Sequence, residues 1–255
     1  NAITGKLDVI NKYSGTASFH LTQMAAYSFV VQLIQGYICH KHGVKKDGIG
    51  MPKLNSIHMI WHQLVRTSKD VPARLTELGH TEENGVYIYR FAFDVADGGA
   101  SGEITGFLPI SKPPVPAGEL SEPATFETHA ELIGMDPKDT YTGGTFSGES
   151  QDIHHLLCNG KSLTGQLDVK NEWSGTPHFH LTQMGTYSYI VQLMLGYFCY
   201  KHGVEKDALG MPTLSEFKID WTEMVTFDSN IPCTIEEVET SHERGRYTIR
   251  FDFTV

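Results

Sequence analysis

The chain has 255 residues, enough for one large domain or two of ordinary size, and 40% hydrophobic with 20% charged residues fits a globular protein with a real core. A net charge of −10 argues against non-specific nucleic-acid binding, which needs Lys and Arg to neutralise phosphates, and reads first as solubility. No apolar run reaches the roughly 20 residues of a membrane span, and no signal peptide is visible. Asn1 in place of Met reads as a cut or processed start. Cys39, Cys158, Cys199 and Cys233 form no C-x-x-C and read as reduced core residues of a cytoplasmic protein. No cofactor is expected and no metal, because the thirteen histidines lack zinc-site spacing.

The dominant signal is a repeat. Residues 1–95 and 161–255 align without a gap and are about 45% identical. Two such copies in one chain are expected to pair as a pseudo-dimer imitating an isologous homodimer, and a homodimer of pseudo-dimers is compatible with this. Residues 5–20, and 165–180 in the second copy, predict a strand, a turn at Ser14-Gly15 and a second short strand. Residues 22–42 and 182–202 predict one long helix that is apolar almost all round, hence buried on most sides. Thr22 is its expected N-cap and Gly43 its C-terminal glycine. Alternating segments follow at 54–65, 71–80, 86–95 and 100–110, and at 214–225, 233–242 and 247–255 in the second copy. The second copy ends before any counterpart of 100–110, which reads as a cropped or unlisted tail, or a strand supplied in trans. The domains are therefore 1–108 and 151–255, with 109–150 a Pro/Gly-rich surface linker. The class is α+β: a double hot-dog, each copy a long helix wrapped by an antiparallel sheet.

The densest identity between copies runs through the helix start. It covers His20, Thr22, Gln23, Tyr27, Ser28 and Gln32, with mates His180, Thr182, Gln183, Tyr187, Ser188 and Gln192. Packing alone accounts for the Leu, Val and Met of this stretch. Gln, His and Thr need another reason, since burial unpaired costs about 1–3 kcal/mol each. A helix N-terminus offers one: its orphan N–H groups and positive dipole end suit a polarised carbonyl oxygen. His20 and His180 are candidate bases, with Tyr27, Tyr187, Gln23 and Gln183 as oxyanion donors or water-aligning groups. Thr22, Thr182, Ser28, Ser188, Gln32 and Gln192 are candidate substrate contacts. For the histidines, a purely structural role remains the competing reading.

A strand, a His at the helix entrance, a long apolar helix with a central Q-L and a sheet ending G-G-A-S-G-E-I resemble the FcoT-type long-chain acyl-CoA thioesterases. The resemblance covers about one domain length, applied twice, and is best over His20–Leu33 and Gly98–Ile104. It implies a hot-dog fold and hydrolysis of an acyl-CoA or acyl-carrier-protein thioester in fatty-acid or polyketide-type metabolism. In that family an H-F-N run opens the helix and a Glu follows. Here Thr22 and Thr182 stand at the Asn position, and Ala25 and Gly185 at the Glu position. The rival hydroxyacyl dehydratases pair His with a helix acid and carry H-F-x-x-x-P-x-x-P-G. Neither feature is present, as 21–44 and 181–204 hold no Asp or Glu. 3-Hydroxyacyl thioester dehydratase, isomerase, acyl-transferase and non-catalytic acyl-binding or scaffold roles stay open.

Two further features read as structural first. The basic run Lys41 to Asp47 suits a helix C-terminus, with docking of a carrier protein or CoA phosphates as the alternative. Trp61 and Trp221 occupy equivalent strand positions and read as core. Copy one is richer in histidine along its central strand (His58, His62 against Lys218, Thr222) and copy two at its helix entrance (His178 against Ser18), so two pockets of unequal activity are expected.

Overall fold

The computed structural model describes residues 1–45, 48–49, 53–110, 112–115, 149–203, 213–244 and 246–255. The chain divides into two compact units: Asn1–Ser147 with Leu214–Thr222, and Gly148–Thr213 with Glu223–Val255. Most of the expected linker, 116–148, lies outside the described residues.

The first unit holds β1 (Ala2–Leu7), α1 (Gln23–His42), β2 (Lys53–Trp61), β3 (Val71–Glu83), β4 (Val86–Val95) and β5 (Ala100–Pro109). It also holds β8 (Glu216–Asp220) from the second copy. These strands form one antiparallel sheet in the order β1-β3-β4-β5-β2-β8. The second unit holds β6 (Ser150–Asn159), β7 (Ser162–Lys170), α2 (Gln183–His202), β9 (Ile231–Glu243) and β10 (Arg246–Thr254), with sheet order β10-β9-β7-β6. The α+β class with a long helix and antiparallel strands in each unit matches the sequence reading, and the arrangement fits the hot-dog fold.

Period-two patterning explains the sheets. Along β4, Tyr87, Tyr89, Phe91, Phe93 and Val95 are buried while the residues between them are more open. Val71, Ala73 and Leu75 do the same on β3, and Ile231, Cys233 and Ile235 on β9. Against this layer α1 buries Ala26, Phe29, Val30, Leu33, Ile34, Tyr37 and Ile38, which leaves no clear polar face. A glycine at the same place in both copies lets helix and sheet approach. A Cβ on Gly5 would lie 3.0 Å from Leu33 Cδ2, and one on Gly165 would lie 3.1 Å from Leu193 Cδ2.

The helix ends follow the expected chemistry. Thr22 Oγ1 accepts from the Ala25 amide at 3.2 Å, and Thr182 Oγ1 from the Gly185 amide at 2.9 Å. Gly43 and Gly203 take the left-handed conformation at φ 58° and 62° and return their amides to the last carbonyls. Lys41, in the last turn, complements the C-terminal dipole end of α1. Thr182→Ala is expected to cost about 1–2 kcal/mol, and the exposed Thr22→Ala about half of that, read by urea denaturation. Equal losses would show that burial of the cap is immaterial.

Four expectations are corrected. The second short strand before α1 is absent, because side chains turn the backbone first. The Asn11 amide donates to Ser14 Oγ at 2.8 Å, the Ser14 hydroxyl donates to the Val9 carbonyl at 2.6 Å, and the Tyr13 amide donates to Asn11 Oδ1 at 2.8 Å. Asn171 and Ser174 repeat this turn before α2. Strand β6 was not expected, since its His-His-Leu-Leu run has no clean alternation. A bulge between His154 and Leu157, with His155 at φ 50°, interrupts its pairing to β7. Finally, β8 belongs by sequence to the second copy yet pairs with β2 of the first unit, from Ser56↔Asp220 to Ile60↔Glu216. Trp61 and Trp221 are half-buried rather than core, each with an enclosed Nε1 that has no partner.

Candidate functional site

Each helix entrance carries the residues the repeat marks. In the first unit Phe19 and Leu21 are buried and hold His20 between them, half-buried, just ahead of the cap. Gln23 opens α1 and Tyr27 lies one turn further in, both half-buried. Ser28 is 7% exposed, and its Oγ has no hydrogen-bond partner, an arrangement that costs stability unless something else fills the site. Gln32 Nε2 donates to the Ser28 carbonyl at 3.4 Å. No acidic residue stands in the first turn of either helix.

The second entrance is built differently. His180 is again half-buried between Phe179 and Leu181, with Nδ1 3.4 Å from the His178 carbonyl. Burial pushes the Tyr187 phenol well above its ordinary value, so it stays a proton donor. Gln192 Nε2 donates to Ser188 Oγ at 3.2 Å and to Gln151 Oε1 at 3.3 Å. Gln151 Nε2 donates in turn to Glu149 Oε1 at 2.9 Å and to the Gly185 carbonyl at 3.3 Å. Glu149 and Gln151, which lead into and begin β6, were not among the sequence candidates. The structure thus joins Ser188 and Gln192 in one network and places Thr22 and Thr182 as caps, their hydroxyls already engaged.

A second polar constellation sits at the opposite end of each helix and was also missed. Glu77 of β3 accepts from Tyr37, from Lys41 Nζ at 2.5 Å and from His80 Nδ1 at 2.7 Å. Its repeat mate Glu237 accepts from Tyr197 at 2.5 Å, Lys201 at 2.6 Å and Thr240 at 2.5 Å. Burial works to raise Glu77, but the hydrogen bonds from Lys41, Tyr37 and His80 outweigh it and hold its carboxyl below the usual range. Lys201, then Thr240 and Tyr197, hold Glu237 down to about 2. Beside the first network His42 is fully buried. Nδ1 faces the Lys112 carbonyl at 2.7 Å, which can only accept, so Nδ1 carries the proton and Nε2 accepts from Tyr89 at 2.8 Å. Lys41 is therefore half of an ion pair holding α1 to β3, the structural reading of the basic run, whose Lys46 and Asp47 lie outside the described residues. Identity of Tyr37, Lys41 and Glu77 with Tyr197, Lys201 and Glu237 was the signal that could have revealed it.

The first unit also has a cavity of about 480 Å³ over β2, β5 and β8, lined among others by Ser56, His58, Ser101, Glu103 and Lys218. It contains none of the entrance residues. His58 pairs there with Glu216 at 2.7 Å, and His62 with Ser101 at 2.9 Å, so the histidines of the central strand do not join His20. Its mixed charges define no single ligand chemistry. Among the described residues no group of three or more His, Cys, Asp or Glu is arranged to hold a metal ion, and no helix is long and apolar enough to cross a membrane. All four cysteines are free thiols, and burial pushes Cys233 up to about 12.

No protein-family model and no curated protein matches the chain. Solved structures do. A 12:0-ACP thioesterase from Umbellularia californica is 9% identical with a TM-score of 0.49, over 92% of this chain and 86% of that one. An acyl-ACP thioesterase from Bacteroides thetaiotaomicron is 10% identical with a TM-score of 0.46, over 99% and 97%. A conserved protein of unknown function with a hot dog fold from Alicyclobacillus acidocaldarius is 6% identical with a TM-score of 0.42, over 94% and 83%.

Proposed function

We propose that this chain processes acyl thioesters and hydrolyses an acyl-CoA or acyl-carrier-protein thioester at its helix entrances. We also read the two copies as a pseudo-dimer, on the strength of the ungapped repeat. The observation that carries the functional reading is the doubled constellation: His20, Gln23 and Tyr27, and again His180, Gln183 and Tyr187, at the mouth of a long apolar helix. A helix mouth presents N–H groups to the thioester oxygen, where negative charge develops as the carbonyl is attacked. The half-buried imidazole can accept a proton from water, and Tyr and Gln donors can hold the oxygen. The apolar helix and sheet favour an acyl chain over a polar substrate.

His20→Ala and His180→Ala are each expected to lower thiol release, by about 10²-fold at the dominant site, with unfolding midpoints little changed. Two folded variants with wild-type turnover would leave packing as the only explanation of the repeated F-H-L-T-Q-M. One observation favours a second reading. Glu149 brings a carboxylate to the second entrance, which restores the acid that elimination of water from a hydroxyacyl thioester needs. Product mass separates the two: hydrolysis frees a thiol, while dehydration keeps the thioester and loses water.

A further inference from the structure

The Glu position of the resembling thioesterases is Gly185 in the second copy, a residue without a side chain. The structure shows what fills that space. A Cβ built on Gly185 would lie 2.9 Å from Glu149 Oε1, closer than real Cβ contacts come. The carboxylate therefore stands where a side chain at 185 would begin, against the first turn of α2. In the first copy the same position is Ala25, whose methyl takes that space.

We propose that Glu149, delivered from the residue preceding β6, is the general base of the second entrance. This rests on the thioester-hydrolase reading of the same entrance. Gln151 Nε2 holds one carboxylate oxygen at 2.9 Å, and Asn171 Nδ2 approaches the other at 3.4 Å. A carboxylate offers about four acceptor positions, so two remain for a water molecule. Gln151 is itself fixed by Gln192 and by the Gly185 carbonyl, so the group that aims Glu149 is tied to the helix. Thr182 engages the Gly185 amide, which sets the height of the first turn beside the carboxylate.

The step balances with residues and substrate alone. Glu149 takes one proton of the water as its oxygen bonds to the thioester carbon, and the C=O π pair moves to the carbonyl oxygen. The N-terminal amides of α2 stabilise that oxyanion. Collapse breaks the C–S bond, and the protonated Glu149 returns its proton to the leaving thiolate. The products are a carboxylic acid and a thiol. His180, less than a turn before α2 begins, then orients the carbonyl or the water rather than acting as sole base. The carboxylate belongs to the entrance with glycine at position 185, so the two entrances are expected to differ in activity.

The test is thiol release by the full chain from CoA esters between acetyl and stearoyl, and from the same acyl groups on a carrier protein. Glu149→Gln keeps the shape and an acceptor for Gln151. With the first entrance disabled by His20→Ala, it is expected to lower the remaining kcat by about 10²-fold with KM nearly unchanged. Gly185→Ala places a methyl against Oε1, the movable end of Glu149. It should fold and also lose turnover, because the carboxylate is displaced although still present. Wild-type kcat in either variant overturns the assignment while leaving the thioesterase reading intact. Release of no thiol by the wild type from any donor overturns both.

Discussion

Glu77→Ala is expected to destabilise the first unit by about 3–5 kcal/mol, because it breaks a buried ion pair on one side only. The Glu77 side chain is 4% exposed and that of Lys41 is 14% exposed. With the carboxylate gone, the Lys41 ammonium stays enclosed over the Tyr37 and Tyr89 rings, and Tyr37 loses its acceptor. Lys41→Met in the same background is expected to recover at least half of the loss, since the unpaired charge leaves with it. In the second network Lys201 is 30% exposed, so water can take over part of its solvation, and Glu237→Ala should cost less, about 1–3 kcal/mol. The pH dependence has a definite sign. Both carboxyls are lowered in the folded state from an ordinary 4.5, Glu237 to about 2. Their contribution is complete above about 4.5 and is lost as pH falls through the folded value. Urea midpoints followed from pH 6 down to about 2 should decline more steeply for the wild type than for a Glu77→Gln, Glu237→Gln double variant. Parallel curves, or a Glu77→Ala loss below about 0.5 kcal/mol, would show the networks to be solvated ornaments of the surface.

These networks also mark what the sequence could reveal and what it could not. The helices were legible because their signals are local: Thr22 and Gly43 bound α1, and the apolar residues between them recur at helical spacing. Strands β3 and β4 were legible through alternation. The turn at Asn11 and Ser14 was misread as strand because side-chain bonds to the backbone compete with pairing, and residue type alone does not show which wins. Glu77 looked like one more acidic strand residue; only its partners on α1, Lys41 and Tyr37, 36 and 40 positions away, set it apart. Glu149 was hidden for a related reason. The helix sequence carries no acid, and the carboxylate arrives from the residue leading into a strand whose bulge and histidines mask its periodicity. The exchange of Ala25 for Gly185 was the one local trace, and it has meaning only once the carboxylate beside it is seen. Strand β8 was placed correctly as a strand, but its attachment to β2 is a choice of partner, which patterning does not specify.

Gly102→Ala is expected to be among the most damaging single substitutions in the chain, costing more than about 4 kcal/mol or preventing soluble expression. A Cβ at Gly102 would lie 1.9 Å from the His58 carbonyl oxygen and 2.8 Å from Phe93 Cζ. The first contact is with backbone, so no rotamer change relieves it. Strands β2 and β5 would have to separate around Met59↔Gly102. In the sheet order β5 joins β4 to β2, and β8 follows β2, so parting this one ladder detaches both strands beyond it. The methyl itself is not the problem. Gly196→Ala adds the same atom in the middle of α2, where its nearest neighbour would be Leu163 Cδ2 at 3.7 Å, and should raise stability by about 0.5–1 kcal/mol. Gly99 makes the same point as Gly102 more mildly, with Val65 Cγ2 2.5 Å from its absent Cβ, a contact that a side chain can yield. Within Gly98–Ile104, half of the resemblance to acyl-CoA thioesterases, Gly99 and Gly102 are thus explained by close packing and Gly98 by its left-handed backbone at φ 83°. That resemblance speaks for the fold, and the chemistry has to be sought at the helix entrances. A Gly102→Ala protein with a wild-type unfolding midpoint would show that β2 and β5 lie further apart than their register requires, and would reopen Gly98–Ile104 as a functional segment.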